Sequence, residues 1–426
     1  MRKFAGISRF PLGFWNYMDI RELDDQVLAD WEEAAFSCIL SPFFTLEEED
    51  RGKLDILLRW CAEHKVNIIL RDPRVSLRHT EPGSSEKMRL AADYDSLVAE
   101  AVAEFADHPQ VYGFFILDEP HWNYYEAVVQ AVQTVKKHSD RLLPFVNLLP
   151  AMPSTVDLLQ FRHYDRYLAD FAERTGAQQV CYDYYGQMME RNEESSQYYV
   201  NLNHYRNLSR QGVEFWTTLL STPHFNYRRP SYEDMRWQVN TSLAYGAKGI
   251  LYFTFYTPDN AYNSETNYRQ GPIDWWGERT DTFYGIRNAN RELHQRWGDL
   301  FLELQLLQVG HYPEVPAKEL NTVDYNGPVK EIEILTGREP KLILSEFRHR
   351  TSGQSYAFIV NANPRDSVQV QVQLEGVLRL RRFNAYGEAY DVVNSAPYAD
   401  IFQSKIWLAP GQGELMELVR TEPTEL

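Results

Sequence analysis

The decapeptide Val111-Tyr-Gly-Phe-Phe-Ile-Leu-Asp-Glu-Pro120 joins an unbroken apolar run to two adjacent carboxylates and a proline. A short apolar run of this kind is typical of a strand that is buried on both faces, as in a parallel sheet. The next segment, residues 124–137, has the apolar spacing of an amphipathic helix. The stretch therefore predicts a β-strand followed by an α-helix, with Asp118 and Glu119 at the carboxyl end of the strand.

The same alternation extends in both directions, from the N-terminus to about residue 300. The predicted strands are residues 10–15, 35–40, 66–70, 111–117, 143–148, 179–184, 214–220 and 249–255. The predicted helices are residues 24–34, 50–64, 93–105, 124–137, 161–174, 198–211, 232–245 and 282–307. Eight strand–helix pairs predict an α/β fold, a closed (β/α)8 TIM barrel. A doubly wound open sheet is the competing fold, but the chain has neither a Gly-x-Gly-x-x-Gly turn after a strand nor a phosphate-binding loop.

The pattern changes after about residue 308. Short strands separated by Gly, Pro and Asn are predicted at residues 340–347, 354–361, 367–374, 377–383 and 401–408. We therefore predict a catalytic barrel of residues 1–307 followed by an antiparallel β-sandwich domain of residues 308–426. Residues 321–340 either connect the two or supply the first strand of the sandwich.

The charge and aromatic content indicate the class of partner. Lys and Arg number 43 against 60 Asp and Glu, a formal net charge of -17, which disfavours nucleic acid or an anionic membrane. Ten Trp and 27 Tyr suit a carbohydrate substrate, because flat aromatic faces pack on the C–H faces of sugars. Large aromatic cores would use the same residues, so composition leaves both interpretations open.

The cysteines and the N-terminal sequence bear on location. Cys38, Cys61 and Cys181 show no metal-binding spacing, and Cys38 and Cys61 are expected to be buried thiols. The first residues lack the apolar stretch and cleavage site of a signal peptide, and no apolar run is long enough to span a membrane. We expect a cytoplasmic protein without a cofactor, unless a leader segment has been removed.

Two carboxylates are the leading catalytic candidates, since the chemistry of a parallel barrel lies at the carboxyl ends of its strands. Glu119 ends the fourth strand, where aromatic walls would raise its pKa as a general acid requires. Asp183 ends the sixth strand between aromatic residues. Structural roles compete with both. The pair of acids after the fourth strand would also favour the N-terminus of the next helix, and Asp183 would also accept hydrogen bonds from tyrosines or Arg71.

Ten further side chains are expected to contact a sugar, because they lie at strand ends or in the loop beyond the last strand. They are Trp15, Arg71, Asp118, Asn147, Tyr182, Tyr185, His224, Tyr256, Trp275 and Trp276. A structural role competes for His224. Asp72 is either a site residue or the partner of Arg71 or Arg74, and the structural role is favoured. We predict no metal site, since no His-x-x-x-His spacing is present and the single Glu-x-x-His, Glu346 to His349, lies in a predicted strand of the C-terminal region.

Four segments resemble bacterial barrel glycosidases of clan A, and the overall pattern is similar to the family 42 β-galactosidases. The segments are residues 107–120, 143–150, 180–185 and 241–256. The resemblance implies that Glu119 is the acid/base glutamate and that Asp118 stands where clan A usually has Asn. One departure concerns the nucleophile, which clan A places at the end of the seventh strand. Here Glu214 lies at the other end of that strand, and the next carboxylate is Glu233.

These observations predict a glycoside hydrolase that acts on an oligosaccharide or an exposed glycan. Glu119 is the proton donor, and Asp183 is the second carboxylate, either a base or a nucleophile. The sandwich is expected to support the barrel or to form the contact of a homo-oligomer. Two alternatives stay open: a glycan-binding barrel without catalysis, and a metal-dependent barrel enzyme acting on sugars.

Overall fold

A computed structural model of the chain describes residues 9–78, 86–190, 195–259, 265–396 and 401–420. Eight strands form one parallel sheet in the order β1-β8-β7-β6-β5-β4-β3-β2. The strands are β1 (Leu12–Phe14), β2 (Cys38–Leu40), β3 (Asn67–Leu70), β4 (Val111–Asp118), β5 (Leu143–Leu148), β6 (Gln179–Asp183), β7 (Glu214–Leu220) and β8 (Ile250–Phe253). The backbone N–H of Ser37 donates to the carbonyl of Leu12 at 2.8 Å, which joins the two ends of the sheet. The predicted (β/α)8 barrel is confirmed.

The helices of the barrel surround this sheet. They are α1 (Asp25–Glu33), α2 (Glu48–His64), α3 (Tyr94–Phe105), α4 (Trp122–His138), α5 (Thr155–Leu159), α6 (Tyr164–Thr175), α7 (Ser195–Ser209), α8 (Tyr232–Ala244), α9 (Asp281–Arg296) and α10 (Gly298–Glu303). Each predicted helix has a counterpart, and α5 is an addition. No helix among the described residues combines the length and the apolar character that crossing a bilayer requires.

The predicted helix of residues 282–307 is wrong in its last part. The helix α9 stops at Arg296, a short helix α10 follows, and strand β9 (Leu304–Tyr312) begins where the helix was expected to continue. Strand β9 pairs with β11 (Leu342–His349) along its whole length. Hydrogen bonds to a distant strand therefore override the local helical pattern, a frequent outcome where propensity is weak.

Beyond β9, the C-terminal region forms two antiparallel sheets. Its other strands are β10 (Val329–Thr336), β12 (Ser355–Asn361), β13 (Val368–Glu375), β14 (Val377–Phe383), β15 (Ala389–Asp391), β16 (Ile401–Leu408) and β17 (Gly413–Arg420). One sheet has the order β10-β13-β16 and the other β15-β14-β17-β12-β11-β9. The predicted antiparallel sandwich is confirmed, and β10 falls within residues 321–340. The division of the two domains at residue 307 stays a prediction.

Large side chains fill the inside of the barrel below the strand ends. The cluster consists of Trp15, Cys38, Leu40, Ile69, Tyr112, Phe115, Leu143, Phe145, Cys181, Trp216 and Leu251. Trp216 stacks on Tyr112 with 5.8 Å between ring centroids. Gly249 leaves room for this indole, since a Cβ there would lie 2.4 Å from Trp216. Because the interior is packed, a ligand can enter only at an end of the barrel, as is usual for this fold.

The three cysteines are free and buried, as expected for Cys38 and Cys61. Burial raises the pKa of all three thiols above its ordinary value. A thiol that stays protonated is a poor nucleophile. The cysteines therefore act as small core residues.

Candidate active site

A cleft of about 570 Å³ opens at the carboxyl ends of the barrel strands. Its lining combines carboxylates with aromatic rings: Trp15, Tyr17, Asp118, Glu119, Asn147, Asp183, Tyr184, Tyr185, His224, Phe225, Tyr227, Phe253 and Tyr268, with parts of the loops after β5, β6 and β7. Acidic groups next to aromatic rings are the combination expected for carboxyl catalysis on a sugar.

Asn147 links two of the carboxylates. Its Nδ2 donates to Asp118 Oδ1 at 2.9 Å and to Asp183 Oδ1 at 2.7 Å. The parallel register explains this convergence, because Asp118 pairs with Asn147 across β4 and β5, and Asn147 pairs with Cys181 across β5 and β6. The ends of three successive strands thus place two carboxylates within reach of one amide.

Glu119 is the residue directly after β4 and lies in the same cleft. Its φ of 40° falls in the left-handed region, which is uncommon for a residue with a side chain. The Glu119 N–H donates to the Asn147 carbonyl at 2.8 Å, so the backbone is held in this conformation by the neighbouring strand. Burial, followed by the charges of Asp183 and Asp118, raises the pKa of Glu119 well above its ordinary value. The surroundings of Glu119 therefore favour its protonated form.

Asp183 has a smaller shift in the same direction. Burial and then the charge of Asp118 raise its pKa to about 7, while hydrogen bonds from Asn147 and Tyr185 to the carboxylate oppose the shift. The two carboxyl groups interact, so a titration reports the pair rather than either residue. Burial and like charges raise the pKa of both groups, which is the condition under which one carboxyl group retains a proton beside another.

The structure also tests the helix-capping role of the acids after β4. The helix α4 begins at Trp122 with His121 at its N-cap position. Neither Asp118 nor Glu119 occupies that position, and both face the cleft instead. The capping interpretation is wrong for this pair.

Arg71 lies at the boundary between the cleft and a second cavity of about 630 Å³. Its guanidinium group lies 4.5 Å from the ring centroid of Phe43 and 5.1 Å from that of Phe115. Burial lowers its pKa to about 10, so it remains a cation at neutral pH. The two cavities share Trp15, Tyr17 and Asp118, so they form one continuous groove.

Asp72 is not part of this groove, because it is fully buried and forms an ion pair with Arg74 at 2.7 Å. Its structural role, one of the two alternatives expected, is confirmed with Arg74 rather than Arg71 as the partner. Sequence alone could not choose between two arginines that flank the same aspartate.

His224 and Tyr185 form part of the aromatic wall. The Nδ1 of His224 bonds to the Thr222 carbonyl at 2.9 Å, and burial lowers its pKa to about 4. The imidazole is therefore neutral at pH 7. Tyr185 packs on Phe253 with 5.6 Å between ring centroids, and its hydroxyl hydrogen-bonds to Asp183. Tyr185 thus connects the wall to the carboxylates.

Four of the expected sugar contacts lie away from the cleft. Tyr182 points to the outside of the barrel, where it stacks on Tyr205 at 3.9 Å. The hydroxyl of Tyr256 accepts a hydrogen bond from Trp31 Nε1 at 2.8 Å, in the layer between barrel and helices. Trp275 and Trp276 are 49% and 80% exposed and are not among the residues that line the cleft. Side-chain alternation along the strand explains the first case, since Asp183 and Tyr182 must face opposite sides.

Sequence reasoning missed several lining residues. Tyr17 follows Trp15 in the loop after β1, and Phe253 is the last residue of β8. Tyr268 comes from the loop beyond β8. Tyr17 and Phe253 obey the rule that strand ends form the site, and their position could have identified them. Tyr268 lies fifteen residues past its strand, and no pattern indicated it.

The end of β7, where clan A enzymes carry a nucleophile, has a different chemistry. The hydroxyls of Ser221 and Thr222 both donate to the Thr254 carbonyl at 2.8 Å. Glu214 lies at the opposite end of β7 and forms an ion pair with Arg350 at 2.6 Å. Among the residues that the structure describes, no group of three or more His, Cys, Asp or Glu side chains is arranged to hold a metal ion.

No family model and no curated protein sequence matches the chain. Among solved structures, the β-galactosidase of the haloarchaeon Halorubrum lacusprofundi has a TM-score of 0.50 at 13% identity, covering 68% of this chain and 58% of that chain. The β-galactosidase of Marinomonas ef1 has a TM-score of 0.48 at 10% identity, covering 66% and 59% respectively. The family 30 subfamily 8 xylanase of Clostridium acetobutylicum has a TM-score of 0.49 at 10% identity, covering 98% and 97%.

At 13% identity, the similarity to the Halorubrum lacusprofundi β-galactosidase concerns the fold alone. The chain spans less than two thirds of the length of either β-galactosidase. The function therefore has to be argued from the residues of the cleft.

Proposed function

We propose that the protein is a glycoside hydrolase in which Glu119 is the general acid and Asp183 is the second carboxylate, acting as a general base. One observation carries this proposal: two carboxyl groups at the ends of β4 and β6 share a cleft, and the pKa of both is raised, that of Asp183 to about 7. A proton donor whose pKa is raised and an acceptor that is half ionised near pH 7 are what glycoside hydrolysis needs.

The proposed reaction is a single displacement. Glu119 gives its proton to the glycosidic oxygen as the bond from that oxygen to the anomeric carbon breaks. Asp183 takes a proton from a water molecule, whose oxygen forms the new bond to the anomeric carbon from the opposite face. The products are a free alcohol and a sugar hemiacetal of inverted configuration. Solvent then returns a proton to Glu119 and removes one from Asp183.

The groove suits a substrate longer than one sugar. The cleft holds the reacting carboxylates, and the adjoining cavity places Arg71 among the rings of Trp15, Tyr17, Phe43 and Phe115. We propose that the first cavity binds the sugar whose bond is cleaved and the second binds the neighbouring unit. An oligosaccharide or an exposed glycan is therefore the proposed substrate class. The likeness to family 42 β-galactosidases belongs to this proposal and does not fix the sugar.

A panel of nitrophenyl glycosides and natural oligosaccharides tests the proposal, with Glu119→Gln assayed in parallel. Hydrolysis of at least one substrate by the native protein, and its loss in the variant, is the expected result. Hydrolysis that a chelator abolishes would instead favour a metal-dependent enzyme.

A second candidate function is glycan binding without catalysis. Ser221 and Thr222 occupy the end of β7 and use their hydroxyls on the backbone, where related enzymes need a carboxylate. Oligosaccharide binding with no product after prolonged incubation, and with equal affinity in Glu119→Gln, would support this candidate.

The pH profile offers a separate test of Asp183. The acid limb of kcat/KM should have an apparent pKa near 7, set by ionisation of Asp183. Because the Asn147 hydrogen bond stabilises the carboxylate, Asn147→Ala should move this limb to higher pH, by about one unit. Asn288→Ala, on the exposed face of α9, is the matched control and should leave the profile in place. An acid limb that stays fixed or moves to lower pH in Asn147→Ala contradicts the assignment.

The free energy of unfolding should also depend on pH through the ionisation of Asp183. The pKa of Asp183 is 3.8 in its ordinary environment and about 7 in the folded protein. Between these values the folded protein retains a proton that the unfolded chain has lost, so stability falls as the pH rises from about 4 to about 7. Asp183→Asn should therefore be more stable than the native protein at pH 8, on the order of 2 kcal/mol, and the difference should vanish at pH 4. Urea unfolding of both proteins at the two pH values measures this; a variant less stable at pH 8 would argue against the shift.

A further inference from the structure

A third cavity, distinct from the two that form the groove, lies at the end of the barrel opposite the carboxylate cleft. It has a volume of about 550 Å³ and lies between the carboxyl end of α7 and the C-terminal region. Arg206 and Arg210 line it from α7 and the turn that leads to Glu214, the first residue of β7. Residues 308–310 of β9 and 320–324 line it from the other side. Because the cleft lies at the last residues of the strands, the two sites are separate.

Arg206 has unusual surroundings for a buried cation. It is 5% exposed, and its Nη1 makes only long contacts of 3.3 Å to the side-chain oxygens of Asn203 and Asn207. Its Nε is buried without a hydrogen-bond partner in the protein. Among the described residues, no carboxylate forms an ion pair with it, although ion pairs hold many other arginines of this chain. The Nε–H is therefore a donor that no described residue of the protein uses.

The charges nearest to Arg206 leave its positive charge uncompensated. Arg210 is four residues along the chain. Burial, and after it the positive charge of Arg210, lowers the pKa of Arg206. Like charges at this spacing repel each other. Asp324 is the one carboxylate among the described residues lining the cavity, and its Oδ1 already accepts from the Asn326 N–H at 2.9 Å. The cavity thus presents an excess of positive charge in a protein whose net charge is -17.

We propose that this cavity binds a phosphate-type oxyanion, either free or as the ester of a small polyol. Paired guanidinium groups are the usual recognition element for a tetrahedral oxyanion. Here Arg206 offers an unpartnered Nε, and Arg210, whose Nη2 donates to the Leu307 carbonyl at 3.0 Å, keeps its other N–H groups for a ligand. Arg206 is a buried charge without a counterion, which is strongly unfavourable, and a bound dianion would compensate it. Arg210 is exposed at the same cavity and would add its charge to the attraction. The hydroxyl of Thr322 and the amide of Asn321 line the same space and suit the hydroxyls of an ester.

Isothermal titration of the full-length protein with inorganic phosphate tests the site. The ionic strength is kept constant with sodium chloride, because phosphate also stabilises proteins by exclusion from their surface. Saturable binding of one phosphate per chain is expected, with a rise in Tm of about 2 °C or more at a large excess. Arg206→Gln should weaken the affinity at least about tenfold. Arg174→Gln, which removes a surface arginine paired with Glu126, is the matched control and should bind as the native protein does.

A second variant covers the outcome in which Arg206→Gln fails to fold. Asn203→Asp places a carboxylate next to Arg206 at a position that already contacts it, so the variant should fold and lose phosphate binding. Glucose 6-phosphate and glucose distinguish the sources: tighter binding of the ester than of phosphate indicates a phosphorylated ligand, and equal binding indicates the free ion. Phosphate affinity that is unchanged in both Arg206→Gln and Asn203→Asp, or a Tm rise of the same size in every variant, overturns the proposal.

Discussion

Glu119→Gln is expected to lower kcat by about 10²–10⁴-fold on a substrate with a poor leaving group, such as an oligosaccharide. The amide keeps the shape and hydrogen bonding of the carboxyl group but cannot give a proton to the glycosidic oxygen. Burial and two neighbouring carboxylates raise the pKa of native Glu119 and so favour its neutral form, which the amide matches in charge. The loss should therefore appear in kcat, with KM changed little.

The leaving group provides an internal control. A nitrophenyl glycoside needs little protonation as it departs, so Glu119→Gln should affect its turnover much less. Glu173→Gln, on the exposed surface of α6, is the matched control for expression and folding. An oligosaccharide turnover that survives the Glu119 substitution would show that the proton comes from another group, and the assignment of the acid would be wrong.

The barrel could be predicted because its strands are short apolar runs with sharp ends. The bounds of β5 and β7 match the predicted residues 143–148 and 214–220, and β4 extends one residue further than expected. The prediction failed where a long-range contact decides the structure. Residues from Leu304 onward have helical spacing, but the hydrogen bonds offered by β11 are available only in the folded chain. Strand pairing of this kind cannot be deduced from a local pattern.

The site could be predicted as far as strand ends define it. Asp118, Glu119, Asn147 and Asp183 meet because parallel strands in register bring their last residues together. The face of the strand to which each side chain points was harder to predict, since a shift by one residue moves a side chain to the other face. Tyr182 shows this limit, because its ring faces the helices while the adjacent Asp183 faces the cleft. The alternation of side chains along a strand does not apply to loop residues such as Trp276, so the sequence could not predict whether they face the cleft.

Asp183→Asn is expected to lower kcat by a similar factor, about 10²–10⁴-fold, for a different reason. The amide that replaces the Asp183 carboxylate still lies next to Asn147 and Tyr185, but it cannot accept a proton from the attacking water. Asp118→Asn should lose less, since Asp118 acts on the reaction through its charge on the two other carboxyl groups. Asp55→Asn, exposed on α2, is the matched control. Because the amide also relieves a buried charge, a variant that is inactive and yet more stable at pH 8 separates lost chemistry from lost folding.

The anomeric configuration of the first product shows whether Asp183 acts as a general base or as a nucleophile. Aspartate is one methylene shorter than glutamate, which favours the wider separation of about 6.5–9.5 Å that leaves room for a water molecule between base and sugar. Inversion is therefore expected, and proton NMR of the anomeric signal in the first minutes of hydrolysis measures it before mutarotation. Retention would mean that a carboxylate attacks the sugar directly, so that Asp183 is a nucleophile at about 5–5.5 Å from the acid. Hydrolysis that is undiminished in Asp183→Asn would remove Asp183 from the reaction altogether, because an amide can neither accept a proton from water nor attack the sugar as a carboxylate does.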